Sequence, residues 1–283
     1  MRMITSFLVL ISASAGVVHA SENSSGVDGS VITEQNAALK ANTDGKGFGP
    51  QSPRDITKKI GANKRIFLPA PAFYRMNICN IHFHKNAEHK GGDFSLFAGF
   101  GDGHGFQTGY KYSGNLSLAE SKPLETDVCI GEHGGLQAGD TIEVHFVYSS
   151  AQVGPGPTLN SCLAESSVNP QLRVEAHVLV LVNDPQAADF GYLTQVREEN
   201  GYQQAVNIPQ TTGKPTRYAG STTGPAYNEK GSPFQVSWSV HPNILKVSAQ
   251  SVGRWCEANI FKEDHAHGVR NLVTDEALLS NIN

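Results

Sequence analysis

The chain has 283 residues, which suits one large domain or two small ones with a sizeable buried core. The formal net charge is −4 and the sequence has no run of Lys and Arg, so nothing in it favours a nucleic-acid partner. The chain has 29 Gly and 14 Pro residues, and its apolar runs are separated by turn residues. This pattern is typical of a β-rich fold.

The first 20 residues have the pattern of a secretory signal peptide. Arg2 supplies a positive start, a short apolar segment follows, and a cleavage site ends at Ala20. A buried N-terminal helix is the alternative. No later segment has the continuous apolar length that spans a bilayer. We therefore expect an exported protein without a membrane span, either periplasmic or secreted.

Residues 21–48 are polar and rich in Gly, Ser and Asn, and we expect a flexible lead-in. Residues 49–283 are expected to form a single domain. Four segments have strand patterns, namely 76–84, 141–148, 172–182 and 235–240. The Gly-rich region 90–140 predicts loops or short hairpins, and weak helical patterns occur at 191–200 and 275–279. The predicted fold is mainly β, with a mostly antiparallel central sheet and short peripheral helices.

The first strand carries a histidine pair with the spacing of metal ligands. Its alternation places Ile78, Asn80, His82 and His84 on one face, and histidines at i and i+2 lie roughly 7 Å apart. His145, on the second strand, is the best third ligand. Three neutral imidazoles leave Zn²⁺ an open position for water and lower the pKa of that water to about 7.

Glutamates accompany the histidines of both later strands. Glu143 lies two residues before His145 and could fix the tautomer of a ligand imidazole. His177 stands in the same relation to Glu175 and remains a rival third ligand. His265 and His267 form a second pair, but their charged stretch predicts a solvated loop. Histidines in strands are also common as hydrogen-bonded core or surface residues, so spacing alone leaves the metal site open.

Four cysteines, Cys79, Cys129, Cys162 and Cys256, lie beyond the leader. Export makes disulfides plausible, and four cysteines allow three connectivities, among which the sequence does not choose. Four free, buried thiols are the alternative. The absence of a C-x-x-C spacing argues against a cysteine-based zinc site or a redox motif.

Several of these segments resemble one enzyme family. Residues 79–89, with His82, His84, Glu88 and His89, are similar to the metal-site signature of delta-class carbonic anhydrases. The alpha class has a similar order of H-F-H strand, E-H pair and E-x-H strand, and the last of these is matched by residues 143–148. Other alpha-like segments are 49–56, 220–225 and 236–238, so the matches follow the family's order over roughly residues 49–240.

The resemblance implies a fold and an activity. The fold would be alpha-carbonic-anhydrase-like, with the site on central strands. The activity would be the reversible hydration of carbon dioxide to bicarbonate and a proton by zinc-bound hydroxide. The implied roles fall on matched residues only: zinc ligands His82, His84 and His145; an orienting hydroxyl from Thr222 or Thr223; Glu88 as its acceptor; Glu143 behind a ligand; an apolar wall from Val147 and residues 172–182.

The chain departs from the alpha pattern in three places. The threonine loop lacks the leucine before its two threonines and has Gly224 where the family has Pro. About fifty residues separate the E-H pair from the strand of the third ligand, which suits the delta class better. Residues 51–81 contain no histidine, whereas an alpha enzyme carries its proton shuttle there. His104, His133 or buffer remain as proton acceptors. Two other functions stay open: a cupin-type metal enzyme, which shares the H-x-H-x-x-x-E spacing, and a non-catalytic carbonic-anhydrase-like binding protein.

Overall fold

The computed structural model describes residues 26–52, 55–167, 169–222 and 224–282. Its α-helices are α1 (Ser30–Thr43), α2 (Phe190–Leu193) and α3 (Ala249–Glu257). Its strands are β1 (Asn77–Lys85), β2 (Leu96–Phe100), β3 (Thr108–Lys111), β4 (Val128–Gly131), β5 (Gly134–Leu136), β6 (Thr141–Ser149), β7 (Leu172–Val182), β8 (Val196–Glu199), β9 (Tyr202–Ala205), β10 (Thr216–Ser221), β11 (Gln235–Val240) and β12 (Leu245–Ser248).

The main sheet has the strand order β1-β6-β7-β11-β10, and β12 pairs with the far end of β7. The pairs β1–β6, β6–β7 and β10–β11 are antiparallel, whereas β7 pairs in parallel with β11 and β12. The predicted mainly β fold with a mostly antiparallel sheet is therefore confirmed. The parallel pairs follow from the long connection after β7, which returns the chain to the first residues of β7 before β11 begins.

All four predicted strands form, as β1, β6, β7 and β11. The Gly-rich region contains the short hairpins β2–β3 and β4–β5, as predicted. The two weak helical patterns do not give the helices that they indicate. Residues 191–200 give one helical turn and then strand β8, and residues 276–278 form turns. In these short segments long-range packing outweighs local helical preference.

The sheet buries both of its faces, because it has an apolar cluster on each side. One cluster contains Ile142, Val144 and Phe146 of β6. The other contains Val147 of β6 together with Trp238 of β11. Alternate residues of one strand therefore pack on opposite faces, as the period-two pattern requires. His145 shares the parity of Val147 and lies on the second face.

The predicted alternation of β1 is wrong at its start. A register shift between Ile78 and Asn80 breaks the pairing with β6. Ile78 consequently packs in the same cluster as Ile81 and Phe83, opposite the face expected for it. An extra residue in one strand of an antiparallel pair turns the following side chains over. Beyond the shift, the alternation that carries the two histidines holds.

Helix α1 lies within the segment expected to be a flexible lead-in, and the sequence analysis did not predict it. Leu39 is fully buried against Val273, Leu278 and Leu279. The Asn36 amide donates to the carbonyl oxygen of Leu272 at 2.8 Å. Its few apolar residues give a weak helical pattern, so these contacts with the C-terminal segment stabilise the helix.

Two disulfides link distant parts of the fold. Cys79–Cys162 ties β1 to a 3₁₀ turn at Leu159–Cys162, and Cys129–Cys256 ties β4 to α3. Disulfides are typical of proteins in oxidising, extracellular environments. Among the described residues, none of the helices combines the length and apolar character needed to cross a membrane.

Candidate metal centre

Three histidines meet where β1 pairs with β6. His82 stands directly opposite His145 in the antiparallel register, and His84 lies two residues further along β1 on the same face. One ring nitrogen from each lies within 4.8 Å of those of the other two. The structure therefore brings together the three histidines that the sequence analysis selected. The resemblance implied central strands, but β1 is the terminal strand of the main sheet order.

The hydrogen bonds of these histidines fix where their lone pairs point. His82 Nδ1 lies 2.5 Å from Asn80 Oδ1, and His84 Nδ1 lies 2.7 Å from the carbonyl oxygen of Gly268. His145 Nε2 lies 2.9 Å from a Glu143 carboxylate oxygen. Because these oxygens accept, each imidazole donates outward from one nitrogen. The lone pairs on His82 Nε2, His84 Nε2 and His145 Nδ1 remain for a common ligand.

The inward-facing atoms fit a metal ion. Among the residues that the structure describes, none is a hydrogen-bond partner for the buried His84 Nε2, and His82 Nε2 lies 3.3 Å from His145 Nδ1. An unpartnered buried nitrogen and two facing lone pairs are unfavourable unless a cation lies between them. Three imidazoles on a rigid sheet are the ligand set of a catalytic zinc site with one open position.

Burial keeps the imidazoles of His82 and His84 neutral, as metal ligands must be. Burial, reinforced by the neighbouring His145 and His84, lowers the pKa of His82 well below its usual value. Burial also lowers the pKa of His84 to about 4, although Glu88 opposes the shift. Both side chains can therefore bind a cation at neutral pH without first losing a proton.

Glu143 lies behind the third histidine and joins it to a buried network. The carboxylate accepts from His145 Nε2 at 2.9 Å, from His89 Nδ1 at 2.7 Å and from the His89 backbone N–H at 3.1 Å. Burial by itself raises the pKa of Glu143, but interactions with His89 and His145 hold it well below its usual value. The network continues from His89 Nε2 to the Tyr218 hydroxyl at 2.6 Å.

Glu88 lies beside the same centre. Its carboxylate accepts the Arg270 backbone N–H at 3.0 Å and lies 3.9 Å from His84 Nδ1. One of its oxygens also belongs to a compact group with ligand atoms of Glu143 and His145. The side chain is buried, with an exposed fraction of 1%. Glu88 is thus held close to His84, Glu143 and His145.

Of the two threonines, the structure describes one. Thr222 is buried, and its hydroxyl shares a short hydrogen bond with Ser232. Thr223 lies outside the described residues, as does the signal peptide. The preceding Ser221 is held by the alpha-like segment 49–56. The Ser221 carbonyl accepts from Ser52 Oγ at 2.7 Å, and the Ser221 hydroxyl donates to Gln51 at 3.0 Å.

His177 lies away from the three histidines, on the opposite face of the sheet. It pairs with Val144, which belongs to the other face of β6 from His145. Its Nδ1 lies 2.8 Å from Thr212 Oγ1, and its ring stacks on that of His241 with centroids 4.1 Å apart. The structure therefore separates the rival third ligand from His82 and His84.

One further histidine lies at the site and was not predicted there from the sequence. His267, expected in a solvated loop, lies at the outer edge of β1, where it forms a parallel bridge with His84. Its ring centroid lies 5.5 Å from that of His82 and 5.9 Å from that of His84. Only its spacing from His265 marked it as a candidate. His133, a possible proton acceptor, stacks on Phe106, and His104 is exposed.

Comparisons with solved structures give weak likenesses to carbonic anhydrases. The alpha-carbonic anhydrase of Thermovibrio ammonificans, in complex with sulfanilamide, is 13% identical, with 82% of this chain and 86% of that chain covered and a TM-score of 0.27. A hyperthermostable carbonic anhydrase from a hydrothermal vent chimney is 15% identical, with coverage of 83% and 87% and a TM-score of 0.29. The Photobacterium profundum alpha-carbonic anhydrase is 13% identical, with coverage of 89% and 95% and a TM-score of 0.28. At these TM-scores the structural likeness carries no argument. A search of the curated proteins gives no match.

The mainly β fold and its group of three histidines, two buried and one half-buried, define a protein that could hold a metal ion on a rigid sheet. The family model described as Delta carbonic anhydrase matches residues 73–251, which is more than half of the chain. The chain therefore belongs to the delta carbonic anhydrase family and is a carbonic anhydrase. The matched residues include all three histidines of the centre.

Proposed function

We propose that this enzyme catalyses the reversible hydration of carbon dioxide with a Zn²⁺ ion held by His82, His84 and His145. The observation that carries the proposal is the convergence of three inward lone pairs, one of them on a buried nitrogen that has no hydrogen-bond partner within the described part of the chain. Zinc bound by three imidazoles supplies a Lewis acid that lowers the pKa of a water to about 7. Family membership favours this function over a cupin-type enzyme or a non-catalytic binding protein.

The surrounding residues have proposed roles of their own. Glu143 holds His145 in the tautomer that leaves Nδ1 free, through its contact with Nε2. Thr222 shares its hydroxyl with Ser232, which favours Thr223 as the residue that orients the attacking oxygen. Glu88, the proposed acceptor for that threonine hydroxyl, is held by the Arg270 N–H.

An uncharged, linear substrate needs an apolar wall rather than polar contacts. Val147 and Val178 belong to the apolar cluster on the face of His145, and the Trp238 ring centroid lies 5.1 Å from that of His145. We propose that this side of the centre receives carbon dioxide. The proton released by hydration then passes to buffer or to a histidine near the surface.

We also propose that the enzyme works outside the cytoplasm, as a periplasmic or secreted protein. The two disulfides support an oxidising compartment, and residues 1–20 have the signal-peptide pattern. Residues 49–283 form the proposed catalytic domain, with residues 21–48 leading into it. The proposed substrates are carbon dioxide and bicarbonate.

The test compares two buried histidines on neighbouring strands. Protein purified with zinc is analysed for metal, and carbon dioxide hydration is followed by stopped-flow with a pH indicator. His145→Ala is expected to lose the metal and fast hydration, whereas His177→Ala keeps one zinc per chain and its activity, because it lies on the opposite face. Loss of metal only in His177→Ala would refute the ligand assignment. Zinc without hydration would favour a binding protein.

A further inference from the structure

The fourth histidine at the site occupies a position that mirrors the third ligand. On one side of β1, His145 of β6 stands opposite His82. On the other side, His267 forms a parallel bridge with His84, and bridge partners in a sheet project to the same face. The His267 ring therefore lies on the metal-binding face, one strand spacing from β1.

The backbone of His267 is fixed while its ring has room to move. The His267 N–H donates to the Phe83 carbonyl at 2.9 Å, and the Lys85 N–H donates to the His267 carbonyl at 3.1 Å. The side chain is 41% exposed. Its ring centroid lies 5.5 and 5.9 Å from those of His82 and His84, only slightly farther than the 4.7–5.2 Å that separate the three ligand rings. Rotation about its side-chain bonds moves a ring nitrogen by more than this difference.

One carboxylate holds this ring away from the centre. His267 Nε2 lies 2.6 Å from Glu263 Oε2, and the Glu263 side chain is only 10% exposed. The Asn259 side chain fixes the backbone of Glu263 through two hydrogen bonds. It accepts the Glu263 N–H at 3.1 Å and donates to the Glu263 carbonyl at 2.7 Å. A charge-assisted hydrogen bond to a fixed, buried carboxylate is among the stronger side-chain interactions.

We propose that Glu263 is a positioning residue that holds His267 beside the metal and out of its coordination sphere. The inference rests on the proposed metal centre and goes beyond it. With Glu263 in place, the fourth coordination position stays open to water. Without it, His267 turns inward, one of its ring nitrogens forms a dative bond to the metal, and the water is displaced. Four imidazoles make a closed site of the structural kind, which cannot activate water.

The experiment uses the full chain loaded with Co²⁺, whose visible absorption depends on its ligands. Wild-type protein should give a spectrum that changes with pH near 7 and on addition of azide, as expected for an open position. Glu263→Ala should give a spectrum insensitive to both. In the zinc form of Glu263→Ala we expect carbon dioxide hydration to fall about tenfold, which corresponds to a preference of about 1.4 kcal/mol for the closed arrangement.

Three further variants separate this mechanism from simple loss of structure. Glu263→Ala combined with His267→Ala should regain the pH-dependent and azide-sensitive spectrum, which a misfolded protein would not do. Glu263→Gln keeps an acceptor for the imidazole N–H and should resemble wild type. Asp264→Ala removes the neighbouring carboxylate, which pairs with the exposed His265, and should leave the spectrum unchanged.

The outcomes distinguish this inference from the proposed function. If wild-type protein binds no metal, the proposed function fails and this inference fails with it. If wild-type protein binds Co²⁺ and Glu263→Ala keeps the response to pH and azide, only the role of Glu263 is overturned. A double variant that stays insensitive also overturns it, because His267 is then not the displacing ligand.

Discussion

Replacing Glu143 with glutamine changes one atom of the network behind the metal centre. Three N–H groups converge on this carboxylate, two from imidazoles at Oε1 and the His89 backbone N–H at Oε2. A glutamine must place its NH₂ at one of these positions. At the Oε2 position the NH₂ faces the backbone N–H, which cannot become an acceptor. At the Oε1 position it favours the His145 tautomer that protonates Nδ1, the atom turned toward His82.

One orientation lowers the stability of the metal-free protein, and the other lowers its affinity for the metal. Loss of one buried hydrogen bond to a charged group removes about 1.5–3 kcal/mol from the stability of the metal-free protein. The wrong tautomer of His145 competes with metal binding, and loss of such an outer partner typically lowers metal affinity about 10- to 100-fold. This equals about 1.4–2.7 kcal/mol. We therefore expect Glu143→Gln to fold, to bind zinc weakly and to lose hydration activity at limiting zinc.

The assay is competition for zinc between the protein and a chromophoric chelator. Glu175→Gln is the matched control, because Glu175 is a buried glutamate on β7 that contacts Arg173 and His241. The control should keep the zinc affinity of wild type within about threefold. A Glu143→Gln variant that keeps both the zinc affinity and the metal-free stability of wild type would refute the argument, because each orientation of the glutamine is expected to lower one of the two.

Two further predictions concern stability. Removing the 83-residue cross-link with Cys79→Ala and Cys162→Ala should lower the free energy of unfolding by about 4.5 kcal/mol on the chain-entropy model, measured by urea denaturation; a loss below about 1 kcal/mol contradicts it. Burial lowers the pKa of His177 well below its usual value, so the unfolded chain binds more protons as pH falls below about 6.5. Metal-free wild type should therefore lose stability on acidification more steeply than His177→Gln, by at most about 1.4 kcal/mol per pH unit, and equal slopes in denaturation series at several pH values would contradict this.

The sequence predicted the features that depend on local alternation. The period-two pattern was enough to place His82 and His84 on one face of β1 and His145 on the same face of β6 as Glu143, because side chains in a strand alternate. It could not say that the two faces coincide, which depends on the register between the strands. It failed at the register shift after Ile78, since an inserted residue leaves no mark in the alternation itself.

Features that depend on contacts between distant segments were not predictable in this way. His267 joins the site through backbone hydrogen bonds to Phe83 and Lys85, about 180 residues away in sequence. Helix α1 depends on the burial of Leu39 against the C-terminal segment. Helix α3 was missed although its buried residues Ala249, Val252 and Trp255 recur at helical spacing, and Gly253, a poor helix former, weakens that pattern. Local charge and composition give no sign of these packing partners.

The most direct test of the metal centre is anomalous diffraction at the zinc edge from crystals of zinc-loaded protein. We predict a single strong peak about 2.0–2.1 Å from His82 Nε2, His84 Nε2 and His145 Nδ1. A peak between His177 and His241, a peak at His265, or no peak among the three histidines of β1 and β6 would contradict the account.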